Sequence, residues 1–577
     1  MLVPASTVKL GYWANLRRDT SLLGRNLTQS RRGPPDVQRG AFCRSRPSVR
    51  GHRGVGWVTA AAAAIVLAAT ACAATPVAKA PRTPICPLTS RARPLVEKLT
   101  TEDDPVDLPR KRAWEASLGG KEAARPHVRA RLAGWPAHAV VDPSALPSDE
   151  RAFLERVAAD TWRGLAALTD RENGLPVDHV RLAAPPTSGD GATDTTAGAD
   201  VGDYTSISNV GLHLAAVVAA REIGLVGDAD AVAAVTRVLD TLDRVETYQG
   251  FFFNYYDTTS LERSSNFLSF VDTSWLTTGL ILARASFPAL AARCSRLIER
   301  MHYGFFYDAR RHQVSHGYYV HRRARSRYDY GVLYTEARLG VLLGIGKGEI
   351  PEDAWLDMVR TYPADCAGQT ATPRGVRRRR VHGHTVVSGW YEWGGVRFVP
   401  SWGGSMFEAL MPALVVDERR FAAQSLGAND VAHVLVQRRF ATEELGYPVW
   451  GMSPSATPTG DGYGEYGVPV LGTRGYRPGA VTPHASALAL LVDPEAAVAN
   501  LRALAARFPV YGEYGFYDAV DPRTGAVARA YLALDQALFF LAVADHLKPH
   551  CVQDLFASDP IVRHALPLIG DERFFDD

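Results

Sequence analysis

Apolar side chains recur at three- and four-residue spacing along the chain from about residue 150 onward. The first such stripe runs from Phe153 to Leu168 and follows Ser148 and Asp149, two residues that favour helix N-termini. Because side chains with this period line one face of an α-helix, the segment is predicted to be an amphipathic helix. The same pattern predicts further helices at about residues 204–220, 229–245, 274–285, 289–300, 334–343, 351–360, 406–415, 429–444, 483–491, 494–507 and 533–546.

Short aromatic segments interrupt these helices. Residues 250–257, 303–308 and 514–518 each combine glycine, phenylalanine or tyrosine with a final aspartate. The carboxylates Asp257, Asp308 and Asp518 are predicted to form turns, because an aspartate side chain can accept hydrogen bonds from the backbone just ahead of it. A unit repeated after helix pairs indicates helical hairpins, and about twelve helices make six of them. We therefore predict an all-α fold, an (α/α)6 toroid whose loops gather at one end.

Composition places the chain among ordinary globular proteins. Of its 577 residues 46% are hydrophobic and 22% are charged, and the formal net charge is only +3. This balance argues against a disordered chain and against a nucleic-acid partner. The cysteines show no C-x-x-C spacing, so no zinc site is predicted, and we expect no other metal and no cofactor. Four of them, Cys86, Cys294, Cys366 and Cys551, allow three disulfide pairings between which the sequence does not choose.

The first 54 residues are strongly basic and are predicted to be a disordered leader. An apolar run follows at residues 55–72 and has the length of a signal peptide, which is short for a membrane-spanning helix of ~20 residues. We therefore expect an exported protein that is extracellular or anchored in the cell envelope. The run ends in Ala-Thr-Ala-Cys at residues 69–72, which resembles a lipobox without its usual leucine and makes Cys72 a candidate lipidation site.

Other origins of this N-terminus stay open. The apolar run could be cleaved after an Ala-x-Ala site, or could remain as an anchor with the basic leader on the inner side of the membrane. A start codon assigned too far upstream would also explain the long leader. A lipid or an uncleaved anchor would each hold the protein at a membrane.

Residues 399–412 gather several residue types that sugar chemistry uses. Gly403 and Gly404 permit backbone angles that a side chain forbids, and Ser405 can cap a helix whose first turn carries Glu408. Trp402 precedes them, and an indole ring can stack on a pyranose while a nearby carboxyl transfers protons. The alternative is a capping glutamate beside a core tryptophan.

Nine segments spread over about residues 149–547 resemble the glucoamylase-like family of bacterial proteins, which is related to endo-β-1,2-glucanases and to a domain of cyclic β-1,2-glucan synthases. One of them is Ser-Trp-Gly-Gly-Ser-Met-Phe-Glu at residues 401–408, and the others lie at 204–211, 253–257, 268–275, 447–455, 463–468, 481–486, 514–518 and 531–536. The resemblance implies an (α/α)6 toroid and chemistry on glycosidic bonds.

The resemblance also sets the expected domain organisation. After the leader (1–54) and the signal or anchor segment (55–72), residues 73–146 are expected to be a proline-rich linker and preface. Residues 147–548 form the expected catalytic domain, and residues 549–577 the C-terminal tail.

Two positions depart from the family pattern. The endo-β-1,2-glucanase relatives carry a glutamate where this chain has Phe267, and the synthase domain carries one where it has Pro454. Neither relative's acid can therefore be transferred to this chain.

Among the remaining carboxylates, Glu408 and Glu465 are the predicted catalytic pair. Glu408, behind Trp402, is the expected proton donor, because burial beside aromatic rings raises a carboxyl pKa. Glu465, in a glycine-flanked loop, is the expected carboxylate that activates water or attacks the sugar. Asp272 and Glu336 are held in reserve.

Sugar-binding side chains are predicted around this pair. They are aromatic or acidic residues of the shared motifs and their neighbours, namely Trp402, Trp393, Trp450, Tyr463, Tyr204 and Asp535. For Asp535 a helix cap is an equal alternative, and His484 is expected to be a structural histidine.

These features favour an exported glycoside hydrolase or transglycosylase that acts on an oligo- or polysaccharide such as a β-glucan. We expect it to be a monomer. The alternative is an envelope-anchored glycan-binding protein without catalysis, which Phe267 and Pro454 motivate. A polysaccharide lyase is disfavoured, because the motifs are rich in carboxylates.

Overall fold

The computed structural model describes residues 106–183, 194–363, 366, 369, 371–460 and 462–575. The predicted leader, the apolar run and Cys72 lie outside the described residues.

The described chain is mostly helical. Its α-helices are α1 (Pro109–Ser117), α2 (Lys121–Arg131), α3 (Glu150–Ala167), α4 (Ile207–Glu222), α5 (Asp228–Leu242), α6 (Phe270–Ser286), α7 (Ala291–Arg300), α8 (Ala337–Gly346), α9 (Asp353–Leu356), α10 (Met406–Leu410), α11 (Glu418–Phe421), α12 (Leu426–Arg439), α13 (Pro483–Leu488), α14 (Pro494–Arg507), α15 (Ala533–Leu547), α16 (Gln553–Ser558), α17 (Pro560–Ala565) and α18 (Pro567–Gly570). A π-helical turn, Phe440–Glu444, continues α12.

Serine caps fix where three of these helices begin. Ser206, Ser269 and Ser405 precede α4, α6 and α10, and each hydroxyl oxygen accepts a hydrogen bond from the backbone N–H three residues ahead. Such a cap satisfies one of the free N–H groups at a helix start and stabilises the helix by about 1 kcal/mol. The helix starts of the central region are therefore encoded locally.

The helices pack in two sets. In one set α4 packs on α6, α6 on α8, α10 on α13, α13 on α15, and α15 back on α4. Helices of the second set each pack on a member of the first: α3 on α15, α5 on α4, α7 on α6, α9 on α8, α12 on α10 and α14 on α13. The first set is nearly apolar all round, because α4, α6, α8, α13 and α15 bury most of their residues. A helix that is apolar on every face lies in the interior.

A buried ion pair joins α8 to the segment around α10. The Arg338 guanidinium binds both carboxylate oxygens of Glu418, at 2.7 and 2.8 Å, and donates to the carbonyl oxygens of Glu408 and Ala409. Each of its nitrogens is thereby satisfied, which a buried charge requires.

The structure contains more strands than the all-α prediction allowed. The longest form a three-stranded antiparallel sheet of β12 (Arg374–Val381), β13 (His384–Trp393) and β14 (Val396–Phe398), in the order β12-β13-β14. The arginine-rich β12 is an edge strand that exposes most of its side chains, so apolar alternation is absent from its sequence.

The other strands are short and lie in the connections between helices. They are β1 (His179–Arg181), β2 (Asp200–Gly202), β3 (Tyr204–Ser206), β4 (Thr247–Tyr248), β5 (Phe251–Phe252), β6 (Tyr255–Asp257), β7 (Phe267–Ser269), β8 (Tyr307–Asp308), β9 (Gln313–Val314), β10 (Gly317–Tyr319), β11 (Ala324–Arg325), β15 (Ser455–Ala456), β16 (Tyr463–Gly464), β17 (Tyr511–Gly512), β18 (Gly515–Phe516), β19 (Ala519–Val520), β20 (Val527–Ala528) and β21 (Ala530–Leu532).

The described residues of the two flanking segments, 106–146 and 549–575, include helices that contact other parts of the chain. Lys111 of α1 is buried and pairs with Asp203 and Asp257, the latter at 3.0 Å. In the last 30 residues, α16 packs on α6 and α17 packs on α8. The described part of each segment therefore contributes to the folded chain.

Three cysteines lie among the described residues. Cys294 and Cys551 are buried and free, and Cys366 is disulfide-bonded. Among the described residues, no helix is both long enough and apolar enough to cross a bilayer.

Candidate active site

Glu408 is held by a network of hydrogen bonds at the start of α10. Its carboxylate accepts from the Ser401 hydroxyl at 2.8 Å, from the Gly403 N–H at 2.9 Å and from the Ser405 N–H at 3.4 Å. The Ser405 hydroxyl in turn accepts from the Glu408 N–H, which completes a capping box. Burial raises the pKa of Glu408, while these donors lower it because they stabilise the ionised form.

The two glycines before this helix are required by close packing. A Cβ atom at Gly403 would lie 2.1 Å from the Tyr476 ring. Gly404 has a φ of +78°, and a Cβ there would lie 2.1 Å from the backbone oxygen of Val468. The loop that positions Glu408 is therefore built for glycine at both positions.

Glu336 immediately precedes α8 and is buried, with 8% of its surface exposed. Burial and the neighbouring carboxylates Glu408 and Asp272 together raise its pKa from 4.5 to about 8, against the opposing effects of a backbone hydrogen bond and of Arg338. A carboxyl group with this pKa keeps its proton at neutral pH.

Glu465 lies just after β16 and is half-buried. Burial and the Glu408 carboxylate together raise its pKa from 4.5 to about 7. Both protonation states are therefore populated near neutral pH, which suits a group that transfers protons.

Asp272 lies in the first turn of α6. Its carboxylate accepts from the Ser208 hydroxyl at 2.7 Å, and its N–H donates to the cap of the helix, the Ser269 hydroxyl. Burial raises the pKa of Asp272 and the two serine contacts lower it.

Two tyrosines complete the group. Tyr476 is electrostatically coupled to Glu408, Glu465 and Glu336, and Tyr330 to Glu336 and Asp272. The Tyr476 hydroxyl lies close to Glu408 but makes no hydrogen bond of ordinary geometry within the described residues. We call the six residues Asp272, Glu336, Glu408, Glu465, Tyr330 and Tyr476 the acidic recess.

The acidic recess is reached by solvent. Asp272, Glu465, Tyr330 and Tyr476 each keep part of their surface exposed, yet burial raises the pKa of all four. Side chains that are surrounded by protein but still touch water line a depression rather than a flat surface. The structure thus brings together all four carboxylates that the sequence nominated.

The aromatic residues that were predicted to contact sugar lie in different environments. Trp402 is half-buried and packs against a small cluster of Val332, Tyr362 and Cys366. Trp393 lies at the end of β13, against Phe440 and under the Arg439 guanidinium.

Trp450, Tyr463 and Tyr204 occupy three further environments. Trp450 is 5% exposed and belongs to the core, which leaves little of its ring for stacking on a sugar. Tyr463 is half-buried over a cluster of alanines. Tyr204 meets Tyr255 edge-on at 5.9 Å, and burial and Asp178 raise its pKa. Asp535 is buried beside His484 and Asp518.

Phe267 fills the position where the family pattern has an acid. Its ring stacks on His316 with 5.1 Å between ring centroids and contacts Tyr319 at 4.7 Å. Burial lowers the pKa of His316 to about 4, so the imidazole is neutral at physiological pH. This place in the chain is therefore apolar and uncharged.

The sequence analysis missed Tyr330 and Tyr476. Neither belongs to a motif that pairs a ring with a carboxylate. The glycine at 403 was the one available signal, because it leaves room for a ring, but it does not say which ring.

The described fold has counterparts among solved structures. It is similar to the endo-β-1,2-glucanase from Chitinophaga pinensis in its sophorotriose and glucose complex, with a TM-score of 0.57 and 16% identity over 74% of this chain and 99% of that one. It is also similar to the β-1,2-glucanase from Parabacteroides distasonis, with a TM-score of 0.59 and 16% identity over 74% of this chain and 61% of that one. The mostly helical fold is thus the fold of these glucanases.

Sequence comparison finds a family match over part of the chain. Residues 371–560 match the family described as "Putative glucoamylase". The chain is also 31% identical over 299 residues to the cyclic beta-(1,2)-glucan synthase NdvB of Rhizobium meliloti (strain 1021), which covers 49% of this chain and 9% of that protein. The chain therefore spans less than a tenth of this curated relative. The family resemblance stated from the motifs is confirmed.

Proposed function

We propose that the protein is an exported glycoside hydrolase or transglycosylase that acts on a β-linked glucan through two carboxyl groups, Glu336 and Glu465. One observation carries the proposal: in a single solvent-reached recess, the pKa of Glu336 is raised to about 8 and that of Glu465 to about 7. Cleavage of a glycosidic bond needs a protonated and an ionised carboxyl group at the same pH. Between these two pKa values, the pair supplies both.

Glu336 is the proposed general acid. It holds a proton at neutral pH and would give it to the glycosidic oxygen as the bond to the leaving sugar breaks. Glu465 is the proposed general base. Its ionised form would take a proton from the attacking water, or from a sugar hydroxyl in a transfer reaction.

The sequence analysis expected Glu408 to be the proton donor. In this proposal Glu408 has a different role. Both its oxygens are occupied by hydrogen bonds within its own loop, and only 4% of its surface is exposed. Burial raises its pKa and three hydrogen-bond donors oppose this, and its negative charge, when it is ionised, raises the pKa of both Glu336 and Glu465. Glu408 is therefore a positioning residue, and Asp272 supports Glu336 in the same way.

The packing of the helices supports the proposed (α/α)6 toroid. The contacts α4–α6–α8 and α10–α13–α15–α4, with Arg338 joining α8 to α10, make a closed series of six inner helices, and six outer helices pack against them. We propose that this ring is residues 147–548. Asp272, Glu336 and Glu408 all lie at the N-terminal ends of inner helices, so the recess occupies one end of the ring.

A β-1,2-linked glucan is the proposed substrate class. The named activities of the similar proteins concern β-1,2-glucans, and the half-buried rings of Trp402 and Tyr463 are the aromatic surfaces proposed to contact sugar. We propose that the protein works as a monomer.

Export is the proposed localisation, by a cleaved, lipidated or anchored N-terminus with Cys72 as the lipidation site. The disulfide at Cys366 supports it, because disulfides persist in oxidising compartments.

The test is an assay of the purified full-length protein on a panel of β-1,2-, β-1,3-, β-1,4- and α-1,4-glucans, with the products and their anomeric configuration read by NMR. We expect cleavage or transfer on the β-1,2-glucan. Glu336→Gln and Glu465→Gln should each reduce turnover by a factor of about 100 or more. The matched control is Glu443→Gln, an exposed glutamate paired with Arg439, which should leave turnover unchanged. If every glucan stays intact, the enzyme proposal fails.

A glycan-binding protein without catalysis is the second candidate. The packing of Phe267 on His316, where the relatives carry an acid, favours it. It predicts that the intact protein retains β-1,2-glucan in an affinity gel while no product forms at any pH.

A further inference from the structure

Three buried residues from distant parts of the chain meet beneath the loop that carries Glu465. His484 is the second residue of α13, Asp535 lies in the first turn of α15, and Asp518 lies between β18 and β19. None of them exposes more than 2% of its surface. One donor atom from each lies within 4.8 Å of the others.

Some of these donor atoms lack partners among the described residues. Neither ring nitrogen of His484 takes part in a hydrogen bond. The contact from His484 Nδ1 to Asp535 Oδ1 is 3.8 Å, too long for a hydrogen bond. The carboxyl groups of Asp518 and Asp535 lie within hydrogen-bond reach of each other, so they share a proton or bind a cation. A buried polar group without a partner costs free energy, so the unpartnered nitrogens of His484 beside two carboxyl groups indicate a missing occupant.

The chemical groups of the cluster indicate that the missing occupant is positively charged. An imidazole nitrogen without a partner and the oxygens of a carboxylate both offer lone pairs. Two basic side chains nearby are used elsewhere: Arg181 donates to the carbonyl oxygens of Gly460 and Gly462, and His179 pairs with Asp178. The two buried carboxyl groups and the imidazole therefore form a set of donors that suits a cation.

We propose that His484, Asp518 and Asp535 bind a divalent transition-metal ion, Zn²⁺ or Mn²⁺. One imidazole and two carboxylates suit these ions, whereas Ca²⁺ and Mg²⁺ take oxygen ligands. With metal–ligand distances of about 2.0–2.2 Å, ligand atoms on one ion lie at most about 4.4 Å apart. Small side-chain adjustments bring the three donors within that range.

A metal ion at this site would stabilise the loop that carries Glu465. The second oxygen of Asp518 accepts a hydrogen bond from the Ala456 N–H at 2.6 Å. Ala456 pairs with Tyr463 across the β15–β16 ladder, and Glu465 follows two residues later. An ion that fixes Asp518 therefore also fixes the strand pair from which Glu465 extends. This is a structural role, separate from the proton transfer proposed above.

The test measures metal binding and does not depend on an active enzyme. Full-length protein is treated with EDTA, dialysed and titrated with Zn²⁺, Mn²⁺ and Ca²⁺ by calorimetry, with bound metal counted by mass spectrometry. We expect one equivalent of Zn²⁺ or Mn²⁺, weaker or no binding of Ca²⁺, and a melting temperature that rises with metal concentration.

Substitutions of the proposed ligands test where the metal ion binds. Asp518→Asn and His484→Gln should each weaken binding by more than about 100-fold, beyond the 10–100-fold loss typical of residues outside the coordination sphere. The control is His213→Gln, which removes another buried histidine whose Nδ1 is unpartnered and which is not among the three ligands. Absence of tight Zn²⁺ or Mn²⁺ binding by wild-type protein overturns the proposal, whether or not the variants fold. Equal affinity in folded Asp518→Asn and wild type overturns it too.

Discussion

The carboxyl group of Glu408 adds to the effect of burial in raising the pKa of Glu336, although the two residues lie at the starts of different helices. Glu408 is held at the start of α10 by its capping box, and Glu336 precedes α8, which Arg338 ties to the same segment through the Glu408 and Ala409 carbonyl oxygens. Because backbone contacts fix both positions, the electrostatic coupling is built into the fold and does not depend on a flexible side chain.

Glu408→Gln is expected to shift the pH dependence of activity to lower pH. Glutamine can also complete a capping box, so the helix start should survive. Loss of the negative charge lowers the pKa of both Glu336 and Glu465, and both limbs of the profile should move in the acid direction. The measurement is kcat/KM against pH for variant and wild type. A loss of about 100-fold at every pH, with no shift, would instead make Glu408 the proton donor.

The activity of the wild-type protein should show a bell-shaped dependence on pH. Activity needs Glu465 ionised, so it rises as pH increases through about 7. It also needs Glu336 protonated, so it falls as pH increases through about 8. The maximum therefore lies between the two values, and kcat/KM on a soluble β-1,2-glucan reports both pKa values of the free enzyme. A profile that still rises above pH 9 would exclude Glu336 as the acid.

Glu336→Gln should stabilise the protein while it removes activity. In the unfolded chain Glu336 titrates near 4.5, and in the folded protein near 8, so the folded state binds more protons between these values. The free energy of unfolding of the wild type therefore decreases as pH rises from about 4.5 to about 8. Glutamine does not titrate, and the stability advantage of the variant should grow over this window.

Urea denaturation at pH 5, 6, 7 and 8 checks this prediction. Glu443→Gln serves as the control, because that side chain is exposed. A difference between Glu336→Gln and wild type that is the same at all four pH values would show that Glu336 does not titrate as stated.

Trp402→Ala is expected to weaken glucan binding, with the helix content intact. Trp402 is half-buried beside Val332, Tyr362 and Cys366, in the segment that leads directly into the Glu408 loop. The comparison variant is Trp393→Ala, because Trp393 is also half-buried but packs against Phe440 and Arg439. Binding is measured by affinity electrophoresis and helix content by circular dichroism. Equal effects of the two variants would assign Trp402 a packing role alone.

Features encoded over a few residues could be predicted from the sequence. The helix cap formed by Ser405 and Glu408 lies within four residues and was predicted from the sequence. Asp257 and Asp308 accept backbone hydrogen bonds in turns, as expected. Asp518 shares the same local motif, but its carboxylate accepts from the distant Ala456 instead. A motif predicts a local hydrogen bond only where no tertiary partner competes for the side chain.

Features that depend on contacts between distant segments could not be predicted in this way. Glu336 was nominated only as a reserve, because its raised pKa comes from burial and from Glu408, and neither is visible in residues near it in sequence. The strand β12 was missed for a related reason: an arginine-rich strand is recognised by its partner β13, not by its own pattern. The four carboxylates were nominated from the sequence as a group, whereas the roles proposed within the group depend on the three-dimensional environment.

The close fit between Gly403 and the Tyr476 ring also limits how this protein can evolve. Any side chain at residue 403 would meet that ring at 2.1 Å, and any at residue 404 would meet the Val468 backbone. A substitution at either glycine therefore requires the facing loop to shift, and we expect few single substitutions to be tolerated here. New substrate preferences in descendants of this chain should arise through loops outside this interlocked pair, where one mutation at a time can survive.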